Sequence, residues 1–193
     1  MTNYTELKNE VQKTSTIYSG KIFDLLKYTV KLPNGKETTR DVIHHNGAAV
    51  IIAVTDTGEL VTVRQYRDGS GCAMLELPAG KLDPGEDPKE CASRELTEET
   101  GYTAAKIRPL LLMHPVAAYC TEKIHMFLAE GLTSGSPRPD PDEFVEVELH
   151  SLQSLLEMID NGEITDMKTI AGVLYYLRVN QRSLPPTDSF GPS

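Results

Sequence analysis

Three carboxylates crowd one short stretch of the chain, RELTEETGY, which ends at Tyr102. At about 100° per residue of an α-helix, Glu95, Glu98 and Glu99 fall on one face, within an arc of roughly 100°. Like charges at this spacing repel one another, so the arrangement is costly unless a cation neutralises it. Carboxylate oxygens suit Mg²⁺ or Mn²⁺, and Mg²⁺ commonly bridges carboxylates to substrate phosphates. One hypothesis is therefore a metal site for phosphate chemistry, and the alternative is a solvated acidic face.

The residues around this cluster predict a helix with defined ends. Asp87 can cap the free backbone amides, Pro88 suits the first helical position, and Gly101 suits the end of the helix. Leu96 and Ala92 flank the acidic arc, so the carboxylates are expected to border the protein interior. The opposite face of the helix is expected to be in solvent, with Ser93, Thr97 and Thr100.

Apolar runs on both sides of this helix predict strands. A hairpin is expected across KIFDLLKYTVKLPNGKETTRDVIHH, where Asn34 and Gly35 both suit the positive φ of a tight turn. Further strands are expected in GAAVIIAVT, ELVTVRQYR, CAMLELPAG, KIRPLLLMH, EKIHMFLAEGL and VEVELH, and two helices in LQSLLEMIDNG and MKTIAGVLYYLRV. The predicted fold class is α+β: an α/β/α sandwich with a mixed β-sheet between helices, preceded by an antiparallel β-subdomain.

Composition excludes several classes of function. The chain has 193 residues, of which 39% are hydrophobic and 24% are charged, as in a folded globular protein. A net charge of -9 disfavours a nucleic-acid partner, and no segment predicts a membrane span. The three cysteines lack C-x-x-C spacing, which fits neither a disulfide framework nor a zinc site. Because the N-terminus also lacks the pattern of a signal peptide, a cytoplasmic location is expected.

A longer pattern surrounds the acidic helix, in the segment GKLDPGEDPKECASRELTEETGY. Its fixed spacing involves seven residues: Gly80, Glu86, Arg94, Glu95, Glu98, Glu99 and Gly101. The pattern resembles the signature of the Nudix hydrolases, and all seven residues fall at the positions that this signature requires. At a typical residue frequency of roughly 7%, seven chance matches have a probability on the order of one in a hundred million. Tyr102 stands where an aliphatic residue is more usual. The resemblance implies a Nudix fold.

The resemblance extends over most of residues 40–180 and indicates one branch of the family. RQYR, ELPAG and TEKIHMFLAEGL, followed by the acidic loop DPDEFVEVE, are similar to ADP-ribose pyrophosphatases and related nucleotide-sugar hydrolases. The likeness implies hydrolysis of ADP-ribose, or of a related nucleoside diphosphate sugar, to a nucleoside monophosphate and a sugar phosphate. It implies Mg²⁺ as the cofactor, with Mn²⁺ as an alternative. It also implies a homodimer.

The same resemblance divides the chain into three parts. Residues 1–45 are expected to form a β-rich dimerisation subdomain that contributes to the partner's substrate site. Residues 46–182 are expected to form the Nudix hydrolase domain, and residues 183–193 a flexible tail.

One departure from the branch bears on the substrate. Close ADP-ribose enzymes usually carry a proline at the place that Ala117 occupies here, and this chain has Pro115 two residues earlier. GDP-mannose or a dinucleotide is therefore an alternative substrate. A Nudix domain that binds a nucleotide sugar without cleaving it is a further alternative, although such domains often lose glutamates that are all present here.

The resemblance also implies roles for the residues of the signature. The expected metal ligands are Glu95, Glu98, Glu99 and the backbone carbonyl of Ala79. Arg94 is expected to act together with Glu98 and Glu99 as a catalytic residue. Glu86 is expected to pair with Arg94 and to hold the preceding loop against the helix.

Other candidate residues lie outside the signature. Glu143, with Asp142 behind it, is expected to complete the site as the general base, and the alternative is that PDPDEF is a solvated turn. Arg64 and Arg67 lie on opposite faces of a strand, so one of them is expected to face the substrate's phosphates. Glu76 is expected to hold a ribose or a base.

Overall fold

The structure is a computed structural model that describes residues 4–138 and 143–180. The chain divides into two compact units. One comprises the residues up to Gly47 together with His114–Lys123, and the other comprises Ala48–Met113 together with the residues from Ile124 on. Nothing in the local sequence indicated that His114–Lys123 groups with the N-terminal residues. The expected tail at 183–193 lies outside the described residues.

The first unit is built on a three-stranded antiparallel sheet in the order β1-β2-β3. The strands are β1 (Glu10–Ser19), β2 (Asp24–Lys31) and β3 (Glu37–His44), and a 3₁₀ turn at Thr5–Leu7 precedes them. The hairpin between β2 and β3 was predicted, but β1 was not, because its sequence EVQKTSTIYS is largely polar.

The turn of this hairpin differs from the expected one. Gly35 has a φ of 82°, as predicted, but Asn34 does not have a positive φ. The turn closes instead through a hydrogen bond from Gly35 N to Leu32 O at 2.9 Å. The side chain of Asn34 supports it, since Oδ1 accepts from Lys36 N at 3.1 Å.

The segment His114–Lys123 is bonded to the end of β3. Ile43 N donates to Tyr119 O at 2.8 Å, and Thr121 N donates to Ile43 O at 2.9 Å. Ala117, which stands where the branch usually has proline, lies in the turn of this segment and is exposed.

Within the described residues, the second unit contains a seven-stranded mixed sheet. Its strands are β4 (Ala48–Val54), β5 (Leu60–Arg67), β6 (Cys72–Glu76), β7 (Ala79–Lys81), β8 (Thr103–Met113), β9 (Ile124–Thr133) and β10 (Val145–His150). The main path runs β10-β5-β4-β9-β8, with β6 paired to β5 and β7 paired to β4. Strands β4 and β9 are parallel and the other pairs are antiparallel.

The described part of this unit has three α-helices: α1 (Pro88–Thr100), α2 (Leu152–Asp160) and α3 (Met167–Asn180). None of them has the length and apolar character needed to cross a bilayer. Two neighbouring residues of β4, Ile51 and Ile52, pack on different helices. Ile51 belongs to a core cluster with Leu96 of α1. Ile52 belongs to a second cluster, with Leu155 of α2 and Val173 of α3. Since neighbouring residues of a strand face opposite sides of its sheet, the sheet lies between α1 and the pair α2 and α3. The predicted α/β/α sandwich is confirmed.

Helix α1 begins and ends where the sequence predicted. Asp87 Oδ1 accepts a hydrogen bond from Lys89 N at 2.9 Å, and Gly101 follows the helix with a φ of 75°. One expectation for this helix was wrong, because Thr100 is buried rather than in solvent. Its hydroxyl donates to Leu96 O within the helix, which satisfies the polar group without water.

Candidate active site

Helix α1 presents the three glutamates of its acidic face, Glu95, Glu98 and Glu99, at three depths. Glu99 is 3% exposed. The side chain of Glu95 is 12% exposed, and that of Glu98 is 42% exposed. Burial therefore distinguishes three carboxylates that the sequence pattern left equivalent.

Glu99 is the most deeply buried carboxylate of this face. Burial is the main cause that raises its pKa to about 8, and the charges of Glu95 and Glu143 act in the same direction. A hydrogen bond from Ala79 N to Glu99 Oε2, at 3.0 Å, partly opposes that rise in pKa. Among residues 4–138 and 143–180, Glu99 forms no ion pair. Near neutral pH this carboxyl group therefore has to be protonated or to share its charge with a cation.

Arg94 connects the other glutamates of the signature. Its Nε and Nη2 donate to the two carboxylate oxygens of Glu86 at 2.9 and 3.0 Å. Its Nη1 donates to Glu95 Oε1 at 2.7 Å and to Glu98 Oε2 at 2.9 Å. The predicted pairing of Glu86 with Arg94 is confirmed, and it lowers the pKa of Glu86 to about 2. Because Glu86 Oε2 also accepts from Asp83 N at 2.9 Å, the pair holds the loop before α1 in place.

Strand β7 passes close to the carboxylates of Glu95 and Glu99. A Cβ atom on Gly80 would stand 1.7 Å from Glu95 Cδ, so the space that a side chain would fill is taken by Glu95. Ala79, the residue before Gly80, donates its N–H to Glu99. The contact explains why the signature needs glycine at this position, since any side chain there would displace Glu95.

The chemistry of this donor set fits a hard divalent cation. Glu99 is buried and Glu95 is partly buried, and loss of solvation is the main cause that raises the pKa of each. Oxygen ligands with excess negative charge are those that Mg²⁺ and Mn²⁺ prefer. In the part of the chain that the structure describes, no three acidic, histidine or cysteine side chains already converge on a metal position. Instead Arg94 bridges Glu95 and Glu98, so a cation would take over part of that bridge.

Glu143 comes from a distant part of the chain, but its charge acts on two glutamates of α1. Its negative charge acts to raise the pKa of both Glu95 and Glu99. The segment that leads to it is fastened to α1, since Arg138 N donates to Glu98 O at 2.8 Å. Asp142, which was expected behind Glu143, lies outside the described residues.

Arg67 and Glu76 form a single bidentate pair. Arg67 Nε and Nη2 donate to Glu76 Oε1 and Oε2, both at 2.8 Å. The Glu76 side chain is 1% exposed, whereas that of Arg67 is 40% exposed. The positive charge of Arg67 also acts to lower the pKa of Glu99.

Arg64 has different neighbours from Arg67. Its Nε donates to Glu148 Oε1 of β10 at 2.5 Å, and His150 Nε2 lies 2.9 Å from Glu148 Oε2. A surface groove beside Arg64 is lined by the exposed rings of Tyr66 and Phe144. The two arginines predicted to face opposite ways therefore have separate partners.

Glu76 has a second cationic partner that was not expected from the sequence, and an aspartate in turn bonds to that partner. Lys168 Nζ donates to Glu76 Oε2 and also to Asp166 Oδ1, the latter at 2.9 Å. Asp166 caps the start of α3, since its Oδ2 accepts from Thr169 N at 2.9 Å. The available signal was an aspartate before an amphipathic run, which predicts a helix cap but not a partner for a distant glutamate.

Comparison with known proteins agrees with this geometry. A family model described as the NUDIX domain matches residues 44–171. The chain is 41% identical over 161 residues to an ADP-ribose pyrophosphatase of Bacillus subtilis (strain 168), an overlap that covers 82% of this chain and 87% of that protein. It is 38% identical over 165 residues to a methanol dehydrogenase activator of Bacillus methanolicus, which covers 84% of this chain and 89% of that protein.

A solved structure has the same fold. It is the crystal structure of an ADP compounds hydrolase, which superimposes with a TM-score of 0.80 at 21% sequence identity and covers 91% of this chain and 96% of its own. The family model matches well over half of the chain and includes the whole acidic helix. The chain therefore belongs to the Nudix family, as a pyrophosphohydrolase of the ADP-ribose pyrophosphatase-like branch.

Proposed function

We propose that this chain hydrolyses the pyrophosphate bond of ADP-ribose, or of a related nucleoside diphosphate sugar, in a Mg²⁺-dependent reaction. The products are a nucleoside monophosphate and a sugar phosphate. The observation that carries the proposal is the burial of Glu99, at 3% exposure, beside two other carboxylates. Buried carboxylates of this kind ionise near neutral pH when a cation shares their charge. The name of the Bacillus subtilis relative supports the substrate class.

The proposed metal ligands are the carboxylates of Glu95, Glu98 and Glu99 and the backbone carbonyl of Ala79. A divalent ion held there would neutralise the diphosphate oxygens and lower the pKa of a water molecule. Arg94 orients Glu95 and Glu98 from the side of the loop, where Glu86 anchors it. Mn²⁺ accepts the same oxygen ligands and is expected to replace Mg²⁺.

Arg67 is the proposed contact for the substrate's phosphates. Its pairing with Glu76 uses Nε and Nη2, which leaves Nη1 for a phosphate oxygen. Arg64 stays a proposed substrate-binding residue, at the groove beside Phe144. Glu76 was expected to hold a ribose or a base, but both of its carboxylate oxygens are bonded to Arg67, so its proposed role is to hold Arg67. Glu143 is the proposed general base that takes the proton of the attacking water.

A substrate panel with Mg²⁺ tests this function. Turnover of ADP-ribose, GDP-mannose and a dinucleotide is compared as kcat/KM, and the products are identified by chromatography. The expected result is that ADP-ribose ranks highest and releases AMP and ribose 5-phosphate. Ala117 in place of proline favours the alternative, in which another diphosphate ranks far above ADP-ribose. Tight binding of ADP-ribose without release of AMP would instead indicate a sensing domain.

We also propose a homodimer that forms through the first unit. Strand β1 is exposed along its whole length. Three large apolar side chains on it are about half exposed: Val11 at 51%, Ile17 at 51% and Tyr18 at 56%. An exposed edge strand with such side chains suits the surface of a second copy. A cytoplasmic location is proposed as well, supported by the free thiols of Cys72, Cys91 and Cys120.

A further inference from the structure

The start of α3 connects the proposed phosphate-binding arginine to the interior of the second unit. Glu76 receives Arg67 from one direction and Lys168 from another. The Lys168 side chain is 16% exposed and the Glu76 side chain 1% exposed. We propose that Lys168 is a positioning residue: it fixes the carboxylate of Glu76, which in turn directs Arg67 toward the substrate's diphosphate. This inference rests on the proposed function.

The hydrogen bonds on Glu76 show how the position is fixed. Its Oε1 accepts from Arg67 Nε and its Oε2 accepts from Arg67 Nη2, both at 2.8 Å, while Lys168 Nζ donates to the same Oε2. A carboxylate bonded from two directions has little freedom to rotate. Because Arg67 is bound by two parallel hydrogen bonds, its planar guanidinium follows the plane of that carboxylate.

The charges of this group balance. Arg67 and Lys168 face two carboxylates, Glu76 and Asp166. Without Lys168, one guanidinium would be left with two carboxylates. The pairing of Arg67 with Glu76 would then cancel more of the positive charge that Arg67 presents to a phosphate. Removing one partner from a buried ionic group also lowers stability, because the remaining charge stays buried without its partner.

The backbone that carries Lys168 is itself held in place. Asp166 Oδ2 accepts from Thr169 Oγ1 at 2.6 Å as well as from Thr169 N. Thr169 Oγ1 in turn accepts from Leu77 N at 2.9 Å, in the residue that follows Glu76. Thr169 is fully buried. The first turn of α3 is therefore attached to Leu77, the residue after Glu76, and this attachment fixes the backbone position of Lys168.

A double-mutant cycle tests the proposal. Lys168→Met is made in the wild-type chain and in an Arg67→Lys background, and kcat/KM is measured on the diphosphate that the wild type hydrolyses best. Loss of an outer partner of this kind is expected to lower kcat/KM on the order of tenfold in the wild-type background. In the Arg67→Lys background the further loss should be less than about twofold, since the two residues act as a unit. Equal losses in both backgrounds would overturn the proposal.

Two further variants separate positioning from folding. Lys106→Met removes an exposed lysine of β8 and should leave kcat/KM unchanged. Lys168→Arg keeps the cation and should retain most of the activity. If Lys168→Met does not fold, Lys168→Gln takes its place in the cycle, with the same expected outcome.

A readout without substrate distinguishes this inference from the proposed function. The Nε–H signal of Arg67 in ¹⁵N NMR of the unliganded protein is assigned by its loss in Arg67→Lys. It should exchange slowly with solvent in the wild type and faster in Lys168→Met or Lys168→Gln. Unchanged exchange would contradict the role of Lys168, even if turnover is found. If the wild type hydrolyses no diphosphate, the proposed function fails, and the exchange rate still decides whether Lys168 positions Arg67.

Discussion

Different partners set the charge of the glutamates that one signature places side by side. Arg94 holds the pKa of Glu86 at about 2 through a bidentate hydrogen-bonded pair. Glu95 also bonds to Arg94, but burial outweighs that contact and raises its pKa. Within the described residues Arg94 donates to Glu86, Glu95 and Glu98 but not to Glu99, and burial raises the pKa of Glu99 to about 8. Glutamates of one signature therefore have different roles. Glu86 holds the loop in place, whereas the carboxylate of Glu99 needs a cation to carry its negative charge near neutral pH.

The Glu86 and Arg94 pair should make stability depend on pH. Glu86→Gln is expected to lower the free energy of unfolding by about 1–2 kcal/mol at pH 7, since one partner is partly exposed. The folded pKa of about 2 lies below the usual 4.5, so the pair contributes fully above pH 4.5, and the contribution is lost as the pH falls toward 2.

Urea denaturation of the wild type and of Glu86→Gln at pH 7 and pH 3 measures this dependence. The difference between the two proteins should shrink at pH 3. Glu90→Gln, an exposed change on the same helix, serves as the control. A difference of equal size at both pH values would refute the assignment.

Glu143→Gln should separate a general base from a solvated turn. A residue that takes the proton of the attacking water is expected to contribute about 10²–10⁴-fold to kcat. The charge of Glu143 acts on both Glu95 and Glu99, so removing it is also expected to alter the Mg²⁺ concentration needed for turnover. Steady-state kinetics over a Mg²⁺ series measures both effects, and a kcat near that of the wild type would favour the solvated turn.

At the scale of elements, the end of α1 is where a distant loop docks. Gly101 has a φ of 75°, and a Cβ atom there would stand 2.7 Å from Gly135 O and from Pro137 N. The next residue, Arg138, donates its N–H to Glu98 O. The signature's final glycine therefore ends the helix and also makes room for the segment that leads to Glu143.

Substitutions at two glycines separate these roles. Gly58 also has a positive φ, of 84°, but a Cβ atom there would have nothing within 4 Å. Gly58→Ala is expected to cost about 1 kcal/mol, the usual penalty for a left-handed residue with a side chain. Gly101→Ala should cost clearly more and should also lower kcat, because the docked segment has to move. Urea denaturation and steady-state kinetics measure both, and equal costs with normal kcat would argue against docking.

Local signals account for the elements that were predicted well. Helix α1 was predicted with both of its ends, because Asp87 and Gly101 act within one turn of the helix. Strand β1 was missed because a polar strand looks like any other polar segment until its partner is known. The link from Lys168 to Glu76 joins residues far apart in sequence, and burial separated Glu99 from Glu98. Neither the long-range contact of Lys168 with Glu76 nor the depth at which each glutamate is buried can be read from the local sequence.

At the scale of the whole molecule, charge and assembly bear on function. A net charge of -9 repels a polyanion such as nucleic acid, whereas a small diphosphate needs only local cations. Arg67 and Lys168 are two such cations in the second unit, and the proposed metal would add positive charge at the glutamates.

The proposed homodimer makes a prediction about β1. Light scattering should give twice the 21.3 kDa of one chain for the wild type. Ile17→Asp places a charge among the exposed apolar side chains of β1 and should shift the mass toward that of one chain. Gln12→Asp, which changes an exposed polar residue of the same strand, should leave the dimer intact. A wild type that stays monomeric at micromolar concentrations would rule out this assembly.

The most direct test of the proposed chemistry is the turnover of Glu99→Gln with Mg²⁺. Loss of a metal-binding carboxylate is expected to lower kcat at least about 100-fold. The fold should persist, since glutamine keeps the shape and an acceptor for Ala79 N while it removes a buried charge. Glu90→Gln should turn over like the wild type. A Glu99→Gln protein with nearly full Mg²⁺-dependent activity would contradict the assignment of this cluster as the catalytic site.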